Sequence, residues 1–245
     1  MKYKLVNNLI TPTYNINHIF LRQVRSFVCR NRKLKKNDIY FFKKYWPSIG
    51  INFKQEMIDL NNLVYKNNFP LIVEIGFGNG DSLLHTASSN LDRNILGIEV
   101  HISGIISCMK KIYISNIKNI KIIAHDAVEV LKYMILDHTL HTIQFFFPDP
   151  WPKFRHHKRR IFNYSFIKLL LKKLMFGGLL HIVTDSASYA QSILKIMNDA
   201  IGYVNISKNS TCMLMSPARV VTNFEKKALF LKQEIFELFF RSIQK

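Results

Sequence analysis

From residue 70 onward, short apolar runs alternate with longer amphipathic stretches. The runs are Leu71–Gly76, Asn94–Val100, Ile120–Ala124, Thr142–Phe147 and Leu179–Thr184. They are too short for ordinary helices and predict buried strands. Between them, Asp81–Ser89, Ile102–Ser115, Ala127–Leu136, Tyr164–Met175 and Ser188–Asn198 predict helices. Asp81 is a first-turn acid, and Gly177-Gly178 marks a helix stop. Two further β-type segments, near Tyr203–Met215 and Ile235–Phe240, close the chain. This alternation predicts an α/β fold, a seven-stranded and mostly parallel sheet with helices on both faces.

The chain before residue 70 reads differently. Residues 1–36 are polar and basic with no clear period, and predict a flexible arm. Residues 37–245 then form one domain. Its entry, residues 38–69, is helical or irregular, with Trp46-Pro47 as a break. A length of 245 residues and 48% hydrophobic content suit one large α/β domain with an arm.

The formal net charge is +19. An AT-rich genome would raise Lys everywhere, but here the charge lies in two blocks. Residues 1–44 carry eleven Lys/Arg and one acid, Asp38; residues 151–173 carry eight Lys/Arg and no acid. That clustering predicts a nucleic-acid partner. Cys29, Cys108 and Cys212 are far apart and form no CxxC pair, so no disulfide framework and no metal site are expected. No apolar run approaches a membrane span, and the N-terminus lacks the apolar core of a signal peptide. A cytoplasmic protein away from membranes is expected.

Candidate chemistry starts at Phe147-Pro148-Asp149-Pro150-Trp151, with cations crowded behind it. Each proline fixes its own φ and pushes the preceding residue toward an extended conformation. Asp149 is thereby expected on a stiff turn at the carboxyl end of a strand, where open α/β sheets bind ligands. Trp151 has two readings, a base-stacking ring or a structural lid. Lys153 either binds phosphate or pairs with Asp149.

A glycine-rich turn, Gly76-Phe77-Gly78-Asn79-Gly80, follows the first strand. Its glycines allow a sharp turn and close approach to a ligand. The next position is Asp81 rather than the glycine of a dinucleotide fingerprint. Asp81 and Glu74 disfavour a pyrophosphate and favour a cationic cofactor, S-adenosylmethionine (SAM), over NAD. Glu99 ends the second strand, where an acid accepts from ribose hydroxyls. Asp126 follows the third strand and either accepts from an adenine amino group or caps the next helix. Asp185 follows the fifth strand and either accepts hydrogen bonds from a substrate's donor edge or caps the helix after it; Glu225 competes for the first role.

Together these residues resemble the bacterial tRNA (guanine-N7)-methyltransferases. The resemblance rests on Val73–Gly80, Gly97–His101, His125–Leu131, and Phe146–Lys153 with Lys158-Arg159-Arg160. Arg25-Ser26-Phe27-Val28, Tyr45-Trp46-Pro47 and Thr222-Asn223-Phe224-Glu225 also resemble that family. It implies a Rossmann-like class I methyltransferase that moves a methyl group from SAM to N7 of guanine at tRNA position 46. It also implies that Glu74, Gly76, Gly78, Glu99, Asp126 and Asp149 hold SAM, with Asp149 as the catalytic acid. Lys153, Asp185, Thr222, Asn223, Phe224 and Glu225 would contact the substrate. Arg155, His156, His157, Lys158, Arg159 and Arg160 would contact RNA. No protein partner is implied beyond a monomer or homodimer.

Three positions depart from the family pattern. Asn223 replaces a Lys, and Ala228 and Lys232 replace glycines. If either glycine position needs a positive φ, the backbone there is strained. An oxidoreductase reading fails for want of a dinucleotide fingerprint and hydride-chemistry residues. A methyltransferase for exocyclic amines would resemble Asp/Asn-Pro-Pro-aromatic, and only one proline separates Asp149 from Trp151.

Overall fold

The computed structural model describes residues 9–12, 24–28, 34–207 and 223–244. Helix α1 (Lys36–Ile49) leads into a two-residue strand, β1 (Gly50–Ile51), and a π-helical turn at Asn61–Tyr65. Then come β2 (Leu71–Ile75), α2 (Asp81–Ser89), β3 (Asn94–Glu99), α3 (Ile102–Ser115), β4 (Ile120–Ala124) and α4 (Ala127–Tyr133). The second half holds β5 (Leu140–Phe146), a 3-10 turn at Phe154–Arg159, α5 (Tyr164–Lys173), β6 (Leu174–Thr184) and α6 (Ala187–Asn198). It ends with β7 (Tyr203–Asn205), α7 (Asn223–Phe230) and β8 (Phe236–Ser242).

The strands form one eight-stranded sheet in the order β1-β4-β3-β2-β5-β6-β8-β7. Pairing is parallel from β1 to β6, and β8 runs antiparallel to β6 and β7. The strand beyond the seven expected is β1, which pairs Gly50 with Ile122 and Ile51 with Ile123. It is too short to register as an apolar run.

Strand side chains alternate between faces, and both faces are covered, so the central strands are apolar almost throughout. Val73 and Ile75 of β2 face a layer built on Val130, Leu170 and Ile193 of α4, α5 and α6. Ile72 faces the opposite layer, with Phe42, Leu83 and Met109 of α1, α2 and α3. Each such buried side chain contributes about 1.5–3 kcal/mol relative to exposure.

Several boundaries differ from expectation for local reasons. Trp46-Pro47 does not break α1, because Pro47 falls in its last turn, where only two helical residues follow the one hydrogen bond that its missing N–H removes. The Trp46 ring stacks on Phe42 at 4.7 Å and its indole N–H donates to Asn52 Oδ1 at 2.8 Å, which holds the turn. Helix α4 stops at Tyr133 rather than Leu136. Helix α5 stops at Lys173, so Gly177-Gly178 is not its cap. Those glycines lie in a bulge of β6, between the pairs Leu140–Leu174 and Thr142–Leu179, and Gly177 takes φ +77° there. The β-type segment from Tyr203 forms a strand only to Asn205, and its residues 208–215 lie outside the described residues.

The chain leaves β2 toward β3 on one side and β5 toward β6 on the other. Because β2 and β5 are neighbours, their carboxyl ends open a crevice at the switch point of the sheet.

Candidate active site

The turn after β2 forms the floor of this crevice. Gly76 has φ +75° and Gly78 has φ +55°, a left-handed region that other residues seldom occupy. A Cβ added at either glycine meets nothing within 4 Å, because both line the cleft. Side chains there would fill ligand space.

The cleft holds about 260 Å³. The ends of β3, β4 and β5 close it, and Ser26 and Phe27 of the arm cover one side. Five acids line it: Glu74, Asp81, Glu99, Asp126 and Asp149, with no Lys or Arg among the described lining residues. In a chain of net charge +19, such a cleft selects for a cationic ligand.

Glu74 is the innermost acid, 2% exposed, and its Oε2 is buried without a hydrogen-bond partner. Burial pushes this carboxyl up to about 8, the Ser82 hydrogen bond opposes the rise, and the Glu99 and Asp81 charges add to it. A cation in the cleft would reverse that. The orphaned oxygen fits the ammonium of SAM.

Glu99 is held by three backbone N–H groups, from Gly78 at 2.9 Å, Val100 at 2.6 Å and His101 at 2.9 Å. It therefore fixes the glycine turn against β3. Asp126 caps α4 through the Val128 N–H at 2.9 Å, and it also lines the cleft. The cap reading of Asp126 thus holds, and the same side chain stands in the cleft wall. Asp81 is paired with Lys111, which also donates to the Asn79 carbonyl at 3.0 Å. The negative field ascribed to Asp81 is accordingly partly neutralised.

The arm contributes a feature the sequence did not reveal. The Arg25 guanidinium pairs with Asp126 and, at 2.6 Å, with Glu129. Glu129 also accepts from the Thr11 N–H at 2.9 Å and lies 2.7 Å from His125 Nε2. Burial would raise the Glu129 carboxyl, but bonds from Thr11, His125 and Arg25 hold it below its ordinary value. His125 stacks on Phe53 at 3.6 Å. Arg25, Ser26 and Phe27 belong to a motif of the family resemblance, which was the available signal.

The loop after β5 corrects one expectation. Phe147 and Trp151 precede prolines, yet they are not extended: their φ values are +53° and +45°. The Phe147 N–H is tied to the Val183 carbonyl at 2.8 Å, and the Trp151 indole N–H to the Ser26 carbonyl at 3.0 Å. These anchors hold both residues in a sparsely populated region, and such strain is characteristic of functional loops. Asp149 sits between them on the exposed rim of the cleft.

Lys153, Arg155 and Lys158 are exposed, and His156, His157 and Arg159 are half-buried. His156 is held below its ordinary value by desolvation and by the charges of Arg155, Arg159, Lys153 and Lys158. Arg160 departs from this set. It is buried, its Nε donates to the Pro150 carbonyl at 2.9 Å, and its guanidinium lies 5.0 Å from the Tyr189 ring centre. It braces the loop from beneath instead of facing a partner.

Lys153, Asp185 and Glu225 do not line the cleft. Asp185 follows β6 at the same edge of the sheet, and Ser186, not Asp185, occupies the cap position of α6. Glu225 is fully buried in α7. Thr222 lies outside the described residues, and Asn223 and Phe224 open α7. Ala228 is helical and needs no glycine, whereas Lys232 has φ +54°, the conformation a glycine would favour.

A doubly wound sheet with an acid-lined cleft at its switch point defines a Rossmann-like methyltransferase. A family model described as "Putative methyltransferase" matches residues 68–238. An rRNA methylase structure from Streptococcus thermophilus aligns with TM-score 0.48 at 14% identity, covering 72% of this chain and 89% of that one. A tRNA (guanine-N(7)-)-methyltransferase of Buchnera aphidicola subsp. Schizaphis graminum is 52% identical, over 96% of this chain and 98% of its own. Its namesake in Photorhabdus laumondii is 39% identical, over 98% of this chain and 100% of its own. The chain belongs to the tRNA (guanine-N(7)-)-methyltransferase family.

Proposed function

We propose that this protein transfers the SAM methyl group to N7 of guanine at position 46 of tRNA, in the cytoplasm. The observation that carries the reading is the cleft, whose described lining holds five acids and no Lys or Arg, set beside an exposed basic run. One site accepts a cation and its neighbour accepts a polyanion. The donor supplies a methyl group on a positively charged sulfur.

Glu74 would take the donor's ammonium, and Glu99 and Asp126 its ribose and adenine. Gly76 and Gly78 give the backbone its close approach. Guanine N7 carries a lone pair and no proton, so no general base is needed. Alignment and electrostatics then do most of the catalysis. Positive charge moves onto the purine as the methyl arrives, and Asp149 on the rim stabilises it there. Lys153, Arg155 and Lys158 hold phosphates, and Asp185 reads the guanine edge.

Incubation with labelled SAM and unmodified tRNA tests this reading. Label released by cleavage specific for 7-methylguanine supports it, and label on an exocyclic amine contradicts it.

A further inference from the structure

The 3-10 turn behind Asp149 displays an aromatic ring that the fold leaves in water. Phe154 is 87% exposed, between the exposed cations Lys153 and Arg155. Its ring has an edge contact with His157, with centroids 5.4 Å apart at 62°. A phenyl group so placed forgoes the stabilisation that burial would give.

The turn beneath it is firmly held. The His156 N–H donates to the Lys153 carbonyl at 2.7 Å, and the Arg160 N–H to the His157 carbonyl at 2.9 Å. Arg160 Nε secures the turn to the Pro150 carbonyl at 2.9 Å. The ring is therefore presented on a preorganised support. Trp151, three residues earlier in this loop, is already engaged. Its N–H goes to Ser26, the Arg159 guanidinium lies 4.9 Å from its ring centre, and His156 meets it edge-on at 5.8 Å. Trp151 acts as a brace, which leaves Phe154 as the ring of this loop presented to a partner.

A free aromatic ring among cations is how proteins hold unpaired nucleotides, with phosphates on the cations and a base on the ring. We propose that Phe154 is a stacking platform for an unpaired nucleobase of the tRNA beside the target guanine. This rests on the reading of tRNA as substrate. Stacking there would fix the strand so that the guanine reaches Asp149, and would favour a single-stranded acceptor over a duplex.

The test compares wild type with Phe154→Ala, Phe154→Leu and Phe154→Trp. Affinity for unmodified tRNA is read by fluorescence anisotropy across a salt series, and methylation by KM and kcat. Ala and Leu should each weaken tRNA binding by about tenfold. The Trp variant should restore it. The slope of log affinity against log salt should match wild type, because stacking releases no counterions. The effect should appear as a matching loss in kcat/KM for tRNA, with SAM affinity within about twofold of wild type.

Unchanged affinity in the Ala and Leu variants overturns the proposal. Rescue by Leu equal to rescue by Trp also overturns it, since bulk rather than stacking would then suffice. Anisotropy needs no turnover, so an inactive wild type would sink the enzymatic reading while this comparison still decides the stacking one.

Discussion

Trp151 donates its indole N–H to the backbone carbonyl of Ser26 at 3.0 Å, joining residues 125 apart in sequence. The bond ties the loop that carries Asp149 to the arm that covers the cleft. Trp151→Phe keeps an aromatic ring, smaller than the indole, and removes the donor. It should lower unfolding free energy by about 1 kcal/mol, the usual net worth of one such bond. It should also open the arm to protease sooner than in wild type. A denaturant melt and a timed digest read both effects, and an unchanged digest would mean that the bond does not hold the arm.

Arg25 neutralises two carboxylates, and its loss leaves them facing each other under partial burial. Arg25→Ala should cost about 2–3 kcal/mol of stability at pH 7, in line with breaking a partly buried pair. Glu129 is held below its ordinary value, so its share is present above about pH 4.5 and is lost as pH falls through the folded-state value. The gap between wild type and Arg25→Ala should therefore narrow on acidification. Thermal melts from pH 7 to pH 3 measure it, and a constant gap would contradict the ion-pair account.

Glu74 behaves oppositely. Its carboxyl is pushed up to about 8, so the free protein holds a proton at pH 7 that the unfolded chain has released. Stability from this group falls as pH rises from about 4.5 to about 8. A cationic donor should ionise Glu74 and expel that proton. Calorimetry of SAM binding at pH 7, in buffers of different ionisation enthalpy, should show proton release that Glu74→Gln abolishes. Equal release in wild type and variant would place the proton elsewhere.

Lys232 occupies a left-handed conformation at φ +54°, where the family pattern has glycine. Its N–H closes the end of α7 on the Leu229 carbonyl at 3.0 Å. Lys232→Gly should raise stability by about 1 kcal/mol, the penalty for a Cβ in that region. Ala228→Gly should do the reverse, because Ala228 is helical and buried. Chemical melts of the two variants separate the cases.

The periodicity made the five central strands and the order of helices legible, because both faces of those strands are buried. The boundaries that failed had local causes. Pro47 lands in a last helical turn, and Gly177 serves a bulge, and neither residue announces its context. Glu74, Glu99, Asp126 and Asp149 were legible as strand-end acids, and the structure brings all four into one cleft. The Arg25 pairs were not legible, since they join segments 101 and 104 residues apart. Nor was the burial of Arg160, which looks like its cationic neighbours until the Pro150 carbonyl and the Tyr189 ring are set against it.

Asp149 lies on the cleft rim, where charge would build up on the purine. Asp149→Ala should lower kcat by about a hundredfold or more while tRNA affinity stays within a few-fold. Loss of folding, seen by circular dichroism, would instead assign Asp149 to structure.

The most direct measurement replaces the acceptor guanine of a tRNA transcript with 7-deazaguanine, which has a C–H in place of the N7 lone pair. The wild-type protein should transfer labelled methyl to the guanine transcript and none to the 7-deaza transcript, with equal affinity for both. Equal labelling of the two would show that N7 is not the nucleophile and would contradict the account.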